Sequence, residues 1–403
     1  MEIVRRLRAA GFEAYWAGGC VRDRLLGREP KDYDVATNAT PEQIRALFGR
    51  RRTLALGAAF GVISVIGPRT AGLVEVTTFR RDAAYTDGRH PDSVAFSTPA
   101  EDASRRDFTI NGLFYDPVEN RVIDFVSGQA DLAAKLLRAI GNPRDRFAED
   151  KLRMLRAVRF ASTLEFSLDA DARRAIAEMA AEIHVVSPER ISVEMQRMLT
   201  DANRAAGVRL LVETGLAAQI LPEIVAPNAD GANTLDHSLD AMARLGADCT
   251  FPLALAAALC LHIDATRADA ICRRWRLSNQ QRDRICWLIA HRTDLENAPT
   301  MRWSAVQPLL IADGIGDLLR LMECVRPETA ASVAHCRRLL AQSRETLDPL
   351  PLVTGDDLLA HGIPAGPSYK TLLDRIRAAQ LDGQVHTKPQ AIHLVKQWWK
   401  ETS

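Results

Sequence analysis

Long apolar runs and paired cysteines are both missing from this 403-residue sequence. The longest apolar stretch, FPLALAAALCL at 251–261, is shorter than the roughly 20 residues that a membrane-spanning helix needs. The N-terminal segment lacks the apolar core of a signal peptide. Seven cysteines are widely spaced without a C-x-x-C pair, which argues against a disulfide framework and against a zinc site. These absences predict a soluble cytoplasmic protein without membrane contact.

Lysine is also scarce, and the net charge is close to zero. Lysine and arginine together number 52 against 51 acidic residues, so a formal charge of +1 creates no global field for an anionic partner. Only seven of the basic residues are lysines. The planar guanidinium of arginine binds phosphate groups and base edges better than the ammonium group of lysine does. A GC-rich genome, however, also produces an excess of arginine over lysine. Composition alone therefore does not indicate the partner.

Strand patterns are confined to the first third of the chain. Segments rich in β-branched and aromatic residues predict strands at 14–19, 32–37, 60–67 and 73–80. A helix is predicted at 40–49, with Thr40 as its cap and Pro41 at its first position. From about residue 146 onward helical periodicity dominates. The sequence therefore predicts an α+β N-terminal head followed by all-α regions.

Two carboxylates, Asp32 and Asp34, lie one residue apart in the segment KDYDVAT. On a strand they would project from the same face, where like charges raise each other's pKa unless a cation lies between them. Mg²⁺ prefers such oxygen ligands, and bound magnesium can stabilise a phosphoryl or nucleotidyl transfer. D-x-D alone is common on protein surfaces, so the pair needs support from its surroundings.

That support comes from a glycine turn upstream and an acid downstream. Gly18 and Gly19 end a predicted strand and open a helix whose first turn carries Arg22, an arrangement whose backbone N–H groups and guanidinium can hold phosphate. A third acid, Glu75, lies on another predicted strand, where it would complete a metal site or act as a base. Glu75 also fits an ordinary solvated strand face.

The segment GGCVRDRLLGREPKDYDVATNATPEQI at 18–44 resembles the first motif of class II tRNA nucleotidyltransferases and bacterial poly(A) polymerases, in the DNA polymerase β superfamily. Further segments resemble the later motifs of the same family in the same order. They lie at 105–116, 124–132, 149–160 and 187–199, with a family-like C-terminal segment at 352–376. The resemblance implies a polymerase β-like nucleotidyltransferase head, Mg²⁺ as cofactor, CTP and ATP as substrates, and tRNA as partner.

The resemblance also implies roles for individual residues. Arg106, Asp107 and Asn111 match the second motif, which contacts ribose and triphosphate. Arg156 and Arg159 match arginines that help to hold the incoming nucleotide.

The fourth segment, EDKLRMLRAVRF, predicts a continuous helix over 149–160 that carries Asp150 and Arg153 one turn apart. An Asp acceptor and an Arg donor together match the Watson–Crick edges of cytosine and adenine, whereas guanine and uracil would leave both unpaired. Each buried pair lost costs about 1–3 kcal/mol. We therefore interpret these residues as a protein template for C and A, although ordinary salt bridging on a helix surface gives the same pattern.

Two segments of the sequence bear on which product the enzyme makes. The polar segment 80–96 resembles the flexible loop with which CCA-adding enzymes switch from C to A, and Asp87, Arg89 and Pro91 stand at the family's positions, which disfavours addition of CC alone. The strand at 56–67 and the lack of a long basic C-terminal extension favour CCA addition over poly(A) synthesis. An A-adding enzyme of a split pair and a non-catalytic RNA-binding protein remain alternatives.

Four regions are expected along the chain. They are the catalytic head at 1–145, a helical neck with the base-recognition helix at 146–205, a helical body at 206–345, and a helical tail at 346–403 that, by resemblance, contacts the tRNA elbow. The body faintly resembles an HD phosphohydrolase domain. Its His-Asp doublet is interrupted, because Ile263 separates His262 from Asp264. We therefore expect a degenerate, structural body.

Overall fold

A computed structural model describes the chain from residue 1 to 402 with several short gaps. The described residues are 1–67, 72–82, 94–227, 231, 233–364, 366 and 368–402. The chain divides into two compact units. One comprises Met1–Pro227 with Arg274–Arg276, and the other comprises Asn228–Arg273 with Leu277–Ser403. The four-region division therefore stays a prediction.

Every strand among the described residues belongs to the first unit. They are β1 (Ala14–Ala17), β2 (Asp34–Thr37), β3 (Thr53–Gly57), β4 (Val62–Ile66), β5 (Leu73–Thr78), β6 (Arg80–Asp82), β7 (Val94–Phe96), β8 (Leu113–Asp116), β9 (Arg121–Asp124), β10 (Leu136–Leu137) and β11 (Ser167–Leu168). Its helices are α1 (Glu2–Ala9), α2 (Gly19–Leu25), α3 (Pro41–Phe48), α4 (Pro99–Ser104), α5 (Gly128–Ala133), α6 (Pro143–Glu149), α7 (Leu152–Leu164), α8 (Ala170–Met179), α9 (Pro188–Leu199), α10 (Arg204–Glu213) and α11 (Leu216–Ile220).

A seven-stranded mixed sheet in the order β3-β4-β5-β2-β1-β8-β9 organises the head. Strands β2 and β5 run parallel, and the other neighbouring pairs are antiparallel. In β5, Val74, Val76 and Thr78 are buried, while Leu73 and Glu75 are exposed. This alternation gives the β5 side of the sheet one core face and one open face.

The four predicted strands are confirmed as β1, β2, β4 and β5, with differences at their ends. The prediction of a strand from Asp32 was wrong at its start, because β2 begins at Asp34. The expectation that strands stop at residue 146 was also wrong, since β11 forms a short parallel pair with β10. Helix α3 is confirmed, and its cap Thr40 forms a reciprocal capping box with Gln43.

Helices build the rest of the described chain. Those that follow α11 are α12 (Leu235–Arg244), α13 (Phe251–Leu259), α14 (Ala265–Arg274), α15 (Asn279–Ala290), α16 (Trp303–Leu310), α17 (Ile315–Val325), α18 (Ala330–Leu340), α19 (Arg344–Leu347), α20 (Gly355–Ala360), α21 (Ser368–Leu381) and α22 (Lys388–Thr402). The α+β head followed by helices confirms the predicted fold class. Across the described residues, we find no helix with the length and apolar character needed to span a membrane.

Buried His262 follows α13, and its ring lies within hydrogen-bonding distance of the Thr234 and Ser238 hydroxyls. These contacts are consistent with a structural histidine.

Candidate active site

A cavity of about 1070 Å³ opens in the first unit between the open face of the sheet, α2, α7 and α9. Every residue that the sequence singled out for catalysis or nucleotide binding lines it. These residues are Gly18, Gly19, Arg22, Asp32, Asp34, Glu75, Arg106, Asp107, Asn111, Asp150, Arg153, Arg156 and Arg159. The cavity therefore brings together residues from both the head and the predicted neck.

The Gly18–Gly19 turn lines the cavity, and its conformation requires a glycine at position 18. Its φ of +73° is in the left-handed region, and a Cβ there would lie 2.8 Å from Nη1 of Arg106. From the following turn of α2, buried Arg22 donates to the Oδ1 atoms of Asn111 at 2.7 Å and of Asp23. The turn and the two guanidiniums thus form one positively charged wall.

Three carboxylates face that wall. Asp34 opens β2 and Glu75 lies on neighbouring β5, each one residue before the paired residues Val35 and Val76. The pKa of Asp34 is raised, first by desolvation and then by the negative charges of Glu75 and Asp32, which outweigh the opposing effect of Arg106. The carboxylates therefore repel one another in the protein alone, as the sequence analysis expected.

This repulsion is what a bound cation would relieve. Within the ranges that the structure describes, no three His, Cys, Asp or Glu side chains are close enough to hold a metal ion by themselves. Mg²⁺, however, is usually held by one or two carboxylates together with substrate phosphates and water. The oxygen donors of Asp32 and Asp34, beside the positively charged wall, fit that mode of coordination.

The second motif forms a buried charge network behind the wall. The Asp107 carboxylate accepts from Nε and Nη2 of Arg156 at 2.9 and 2.7 Å, and from Nδ2 of Asn111 at 3.0 Å. Arg106 donates to Asp102, which has a fully buried side chain. Asp102 was not among the predicted site residues, although its position on the capped helix α4, four residues before Arg106, is a recognisable ion-pair spacing.

The base-recognition segment differs from its prediction. Helix α6 ends at Glu149 and α7 begins at Leu152, so the continuous helix predicted over 149–160 was wrong at its start. Asp150 lies in the break with extended backbone, and its carboxylate accepts from the N–H of Leu152, the first residue of α7, at 3.0 Å. The position of the Asp150 carboxylate at the cavity therefore follows from the extended backbone of the break, and not from the periodicity of a helix.

Asp150 and Arg153 each have another charged partner. Asp150 accepts from Nη1 and Nη2 of Arg190 at 3.2 and 2.7 Å. Arg153 pairs with Glu149 and also donates to the carbonyl oxygen of Arg146. These contacts hold both side chains at the cavity wall. Their role in reading the base remains a prediction.

Helix α9 contributes two residues to which sequence reasoning assigned no role. Besides Arg190, the buried carboxylate of Glu194 accepts from Nε of Arg159 and Nη1 of Arg156. The segment SPERISVEMQRML was recognised as the fifth motif, so the signal was present. The pairing of Glu194 with α7 and of Arg190 with Asp150, each about 40 residues away in the chain, needed the tertiary structure.

The ring of Phe160 lies against three arginines of the cavity, one from the glycine-turn wall and two from α7. The guanidinium carbons of Arg159, Arg22 and Arg156 lie 3.8, 5.1 and 5.2 Å from the ring centroid. Such cation–π contacts favour a cation over the ring face. Asp87, Arg89 and Pro91 of the predicted specificity loop lie outside the described residues, between β6 and β7.

Family comparisons agree with this architecture over most of the chain. Residues 14–138 match the Poly A polymerase head domain. Residues 165–226 match the family described as "Probable RNA and SrmB- binding site of polymerase A". Residues 254–395 match the tRNA nucleotidyltransferase domain 2 family. The fold and the site together define a nucleotidyltransferase with a polymerase-type head.

Similar proteins identify the family within this class of nucleotidyltransferases. A CCA-adding enzyme of Levilactobacillus brevis is 32% identical over 97% of this chain and 95% of its own length. One of Geobacillus thermodenitrificans is 34% identical over 100% and 96%. The chain belongs to the family of CCA-adding enzymes.

Solved structures support the same assignment. The Bacillus stearothermophilus CCA-adding enzyme in complex with CTP superposes with a TM-score of 0.80 at 28% identity, covering 99% of this chain and 98% of that one. The Thermotoga maritima CCA-adding enzyme complexed with tRNA shares the fold, with a TM-score of 0.69 at 19% identity and coverage of 99% and 94%.

Proposed function

We propose that this protein adds C, C and then A from CTP and ATP to the 3′ end of tRNA and releases pyrophosphate. The observation that carries the proposal is the single cavity that holds the carboxylates, the glycine turn and the Asp150–Arg153 segment. Relatives that are named CCA-adding enzymes, and that this chain matches over nearly their whole length, support the same product. The scattered cysteines favour a cytoplasmic location.

Asp32 and Asp34 would hold Mg²⁺, which when bound neutralises phosphate charge and favours ionisation of a hydroxyl nucleophile. The Gly18–Gly19 backbone, Arg22 and Arg106 bind the triphosphate oxygens. Glu75 lies beside Asp34 as the carboxylate available to accept the proton of the tRNA 3′-hydroxyl. These residues bind, orient and neutralise the reacting groups, which is how phosphoryl-transfer enzymes achieve most of their catalysis.

On the other wall, Asp150 accepts from the exocyclic amine of cytosine or adenine and Arg153 donates to the adjacent ring acceptor. The contacts to Arg190 and Glu149 do not prevent this, because a carboxylate has about four lone-pair sites and a guanidinium has five N–H donors. Arg156 and Arg159 support the base, and Asp107 and Asn111 position Arg156 and Arg22.

The test uses purified protein, Mg²⁺ and tRNA transcripts that end at the discriminator base, at C or at CC. Each transcript is incubated with CTP, with ATP or with both, and product lengths are read on a sequencing gel. We expect all three to reach a complete CCA end and stop. A single A on the CC transcript alone would identify an A-adding enzyme, and a long A ladder would identify a poly(A) polymerase.

Variants of the carboxylates separate catalysis from binding. Asp32→Ala and Asp34→Asn are expected to abolish addition while tRNA binding stays nearly intact. Asp171→Asn, in an exposed ion pair on α8, is the matched control that should retain activity. Binding of tRNA without any nucleotide addition by the unmodified protein would instead indicate a non-catalytic RNA-binding protein, and normal addition by Asp34→Asn would refute the metal assignment.

A further inference from the structure

An exposed apolar strip lies on the head beside the carboxylates. Leu54 on β3, Ile66 on β4 and Leu73 on β5 are 42%, 41% and 56% exposed, respectively. Their neighbours Val65 and Val74 are buried on the other face of the same strands. Large apolar side chains in adjacent exposed positions often mark a binding surface.

The register of the sheet places this strip on the active-site face. Leu54 pairs with Ser64, and Ser64 pairs with Glu75. Ile66 pairs with Leu73, two residues along the same strands. Because directly paired residues point to the same face of a sheet, the apolar side chains share their face with Glu75, which lines the cavity. The strip therefore continues the cavity wall towards the β3 edge.

Three arginines border the outer end of the strip. Arg50, Arg51 and Arg52 form an exposed turn immediately before β3, at the same end of the sheet as the start of β2. Arg52 donates to the carbonyl oxygen of Ile66 at 3.2 Å. No ion pair of Arg50 or Arg51 occurs in the part of the chain that the structure describes. With about 4.8 Å between strands, the turn lies roughly 14 Å across the sheet from β2.

The geometry of the reaction selects an occupant for this surface. In a nucleotidyl transfer the attacking and leaving oxygens are roughly in line on opposite sides of the phosphorus. The proposed triphosphate site at Gly18, Gly19 and Arg22 lies on the β1 side of the carboxylates. The attacking 3′-hydroxyl must then approach from the opposite side, where β5, β4 and β3 follow in order.

We propose that Leu54, Ile66 and Leu73, with Arg50 and Arg51, form the binding surface for the single-stranded 3′ end of the RNA substrate. Bases next to the reacting nucleotide pack on the apolar strip, and the two arginines bind backbone phosphates upstream. Continuity with the carboxylates and the positive outer border favour a nucleic acid over a protein partner. The inference rests on the proposed function and specifies how the primer reaches that site.

The test compares two variants with matched controls at the opposite sheet edge. Arg50→Ala/Arg51→Ala removes the arginines, and Leu73→Ser removes the most exposed apolar group. The controls are Arg121→Ala on β9 and Val118→Ser in the turn before it, where Arg121 and Val118 are similarly exposed. The KM for a tRNA transcript ending in CC is measured at saturating ATP, and the KM for ATP at saturating RNA.

We expect the double arginine variant to raise the RNA KM about tenfold and to reduce the slope of log KM against log salt by about 1.4, at about 0.7 for each single-strand phosphate contact. Leu73→Ser should raise the RNA KM several-fold. The KM for ATP should not change in either variant. Arg50→Lys/Arg51→Lys should restore most of the affinity, because lysine also binds phosphate as a point charge.

An RNA KM and salt slope equal to those of the controls would overturn the inference, and would leave the strip as a surface for a protein. Failure of the proposed function is recognised separately, because the unmodified protein would then add no nucleotide. In that case fluorescence anisotropy with a labelled CC-ended tRNA transcript still tests the surface. Weaker binding by the double variant than by Arg121→Ala supports the inference, and equal binding refutes it.

Discussion

Asp107 offers a test in which the magnitude follows from the structure. Its side chain is only 11% exposed and accepts two hydrogen bonds from Arg156 and one from Asn111. Burial alone would raise the pKa of this carboxyl, but Arg156 and Asn111 outweigh burial and lower the pKa from 3.8 to about 2. The change corresponds to about 2.5 kcal/mol, at about 1.36 kcal/mol for each pKa unit.

The sign follows from the direction of the shift. A carboxylate with a depressed folded-state pKa contributes its full stabilisation above the unfolded pKa of 3.8 and loses it as the pH falls through about 2. Asp107→Asn removes the charge that Arg156 needs and does not titrate in this range. We therefore expect the free energy of unfolding of the variant to be lower than that of the wild type by at least about 2.5 kcal/mol at about pH 7. At about pH 3 this difference in the free energy of unfolding should be smaller by about 1 kcal/mol.

Urea unfolding followed by circular dichroism, with native-state amide exchange in α7, measures this difference at both pH values. Asp171→Asn, which breaks an exposed pair with Arg174, is the control and should cost less than about 1 kcal/mol at either pH. A wild-type minus Asp107→Asn difference that is independent of pH would refute the reasoning, because it would show that Asp107 titrates alike in the folded and unfolded protein.

Three further substitutions test other walls of the cavity. Gly18→Ala places a Cβ against Arg106 at a positive φ, so we expect the free energy of unfolding to fall by about 1–2 kcal/mol and the KM for the nucleotide to rise. An unchanged nucleotide KM in a kinetic titration would contradict the proposed phosphate site. With a loss of about 1 kcal/mol of stability, because the start of α7 and Arg190 lose a shared acceptor, Asp150→Ala should raise G and U incorporation relative to C and A. Arg190→Ala should do so more weakly, because Arg190 only positions the Asp150 carboxylate, and unchanged base choice in both variants by single-nucleotide assay would refute the template.

Local sequence patterns predicted the parts of the site that depend on neighbouring residues. The glycine turn before α2, the carboxylate at the start of β2 and the capped α3 all depend on residues within a few positions of one another. The alternating burial of β5 likewise follows from its own residues. At Asp150 the same reasoning was wrong, because the apolar periodicity continues across a break between α6 and α7, where Asp150 has extended backbone.

The fold class, the candidate site residues and, through the order of the motifs, the family resemblance could be predicted from the order of residues alone. Which acid meets which arginine could not: Asp107 pairs with Arg156 across 49 positions, and Asp150 with Arg190 across 40. Turns, caps and strand alternation depend on local backbone sterics and short-range hydrogen bonds. The charge pairs depend on how segments distant in the chain pack together, since Asp107 and Asp150 lie outside the helices while Arg156 lies on α7 and Arg190 on α9.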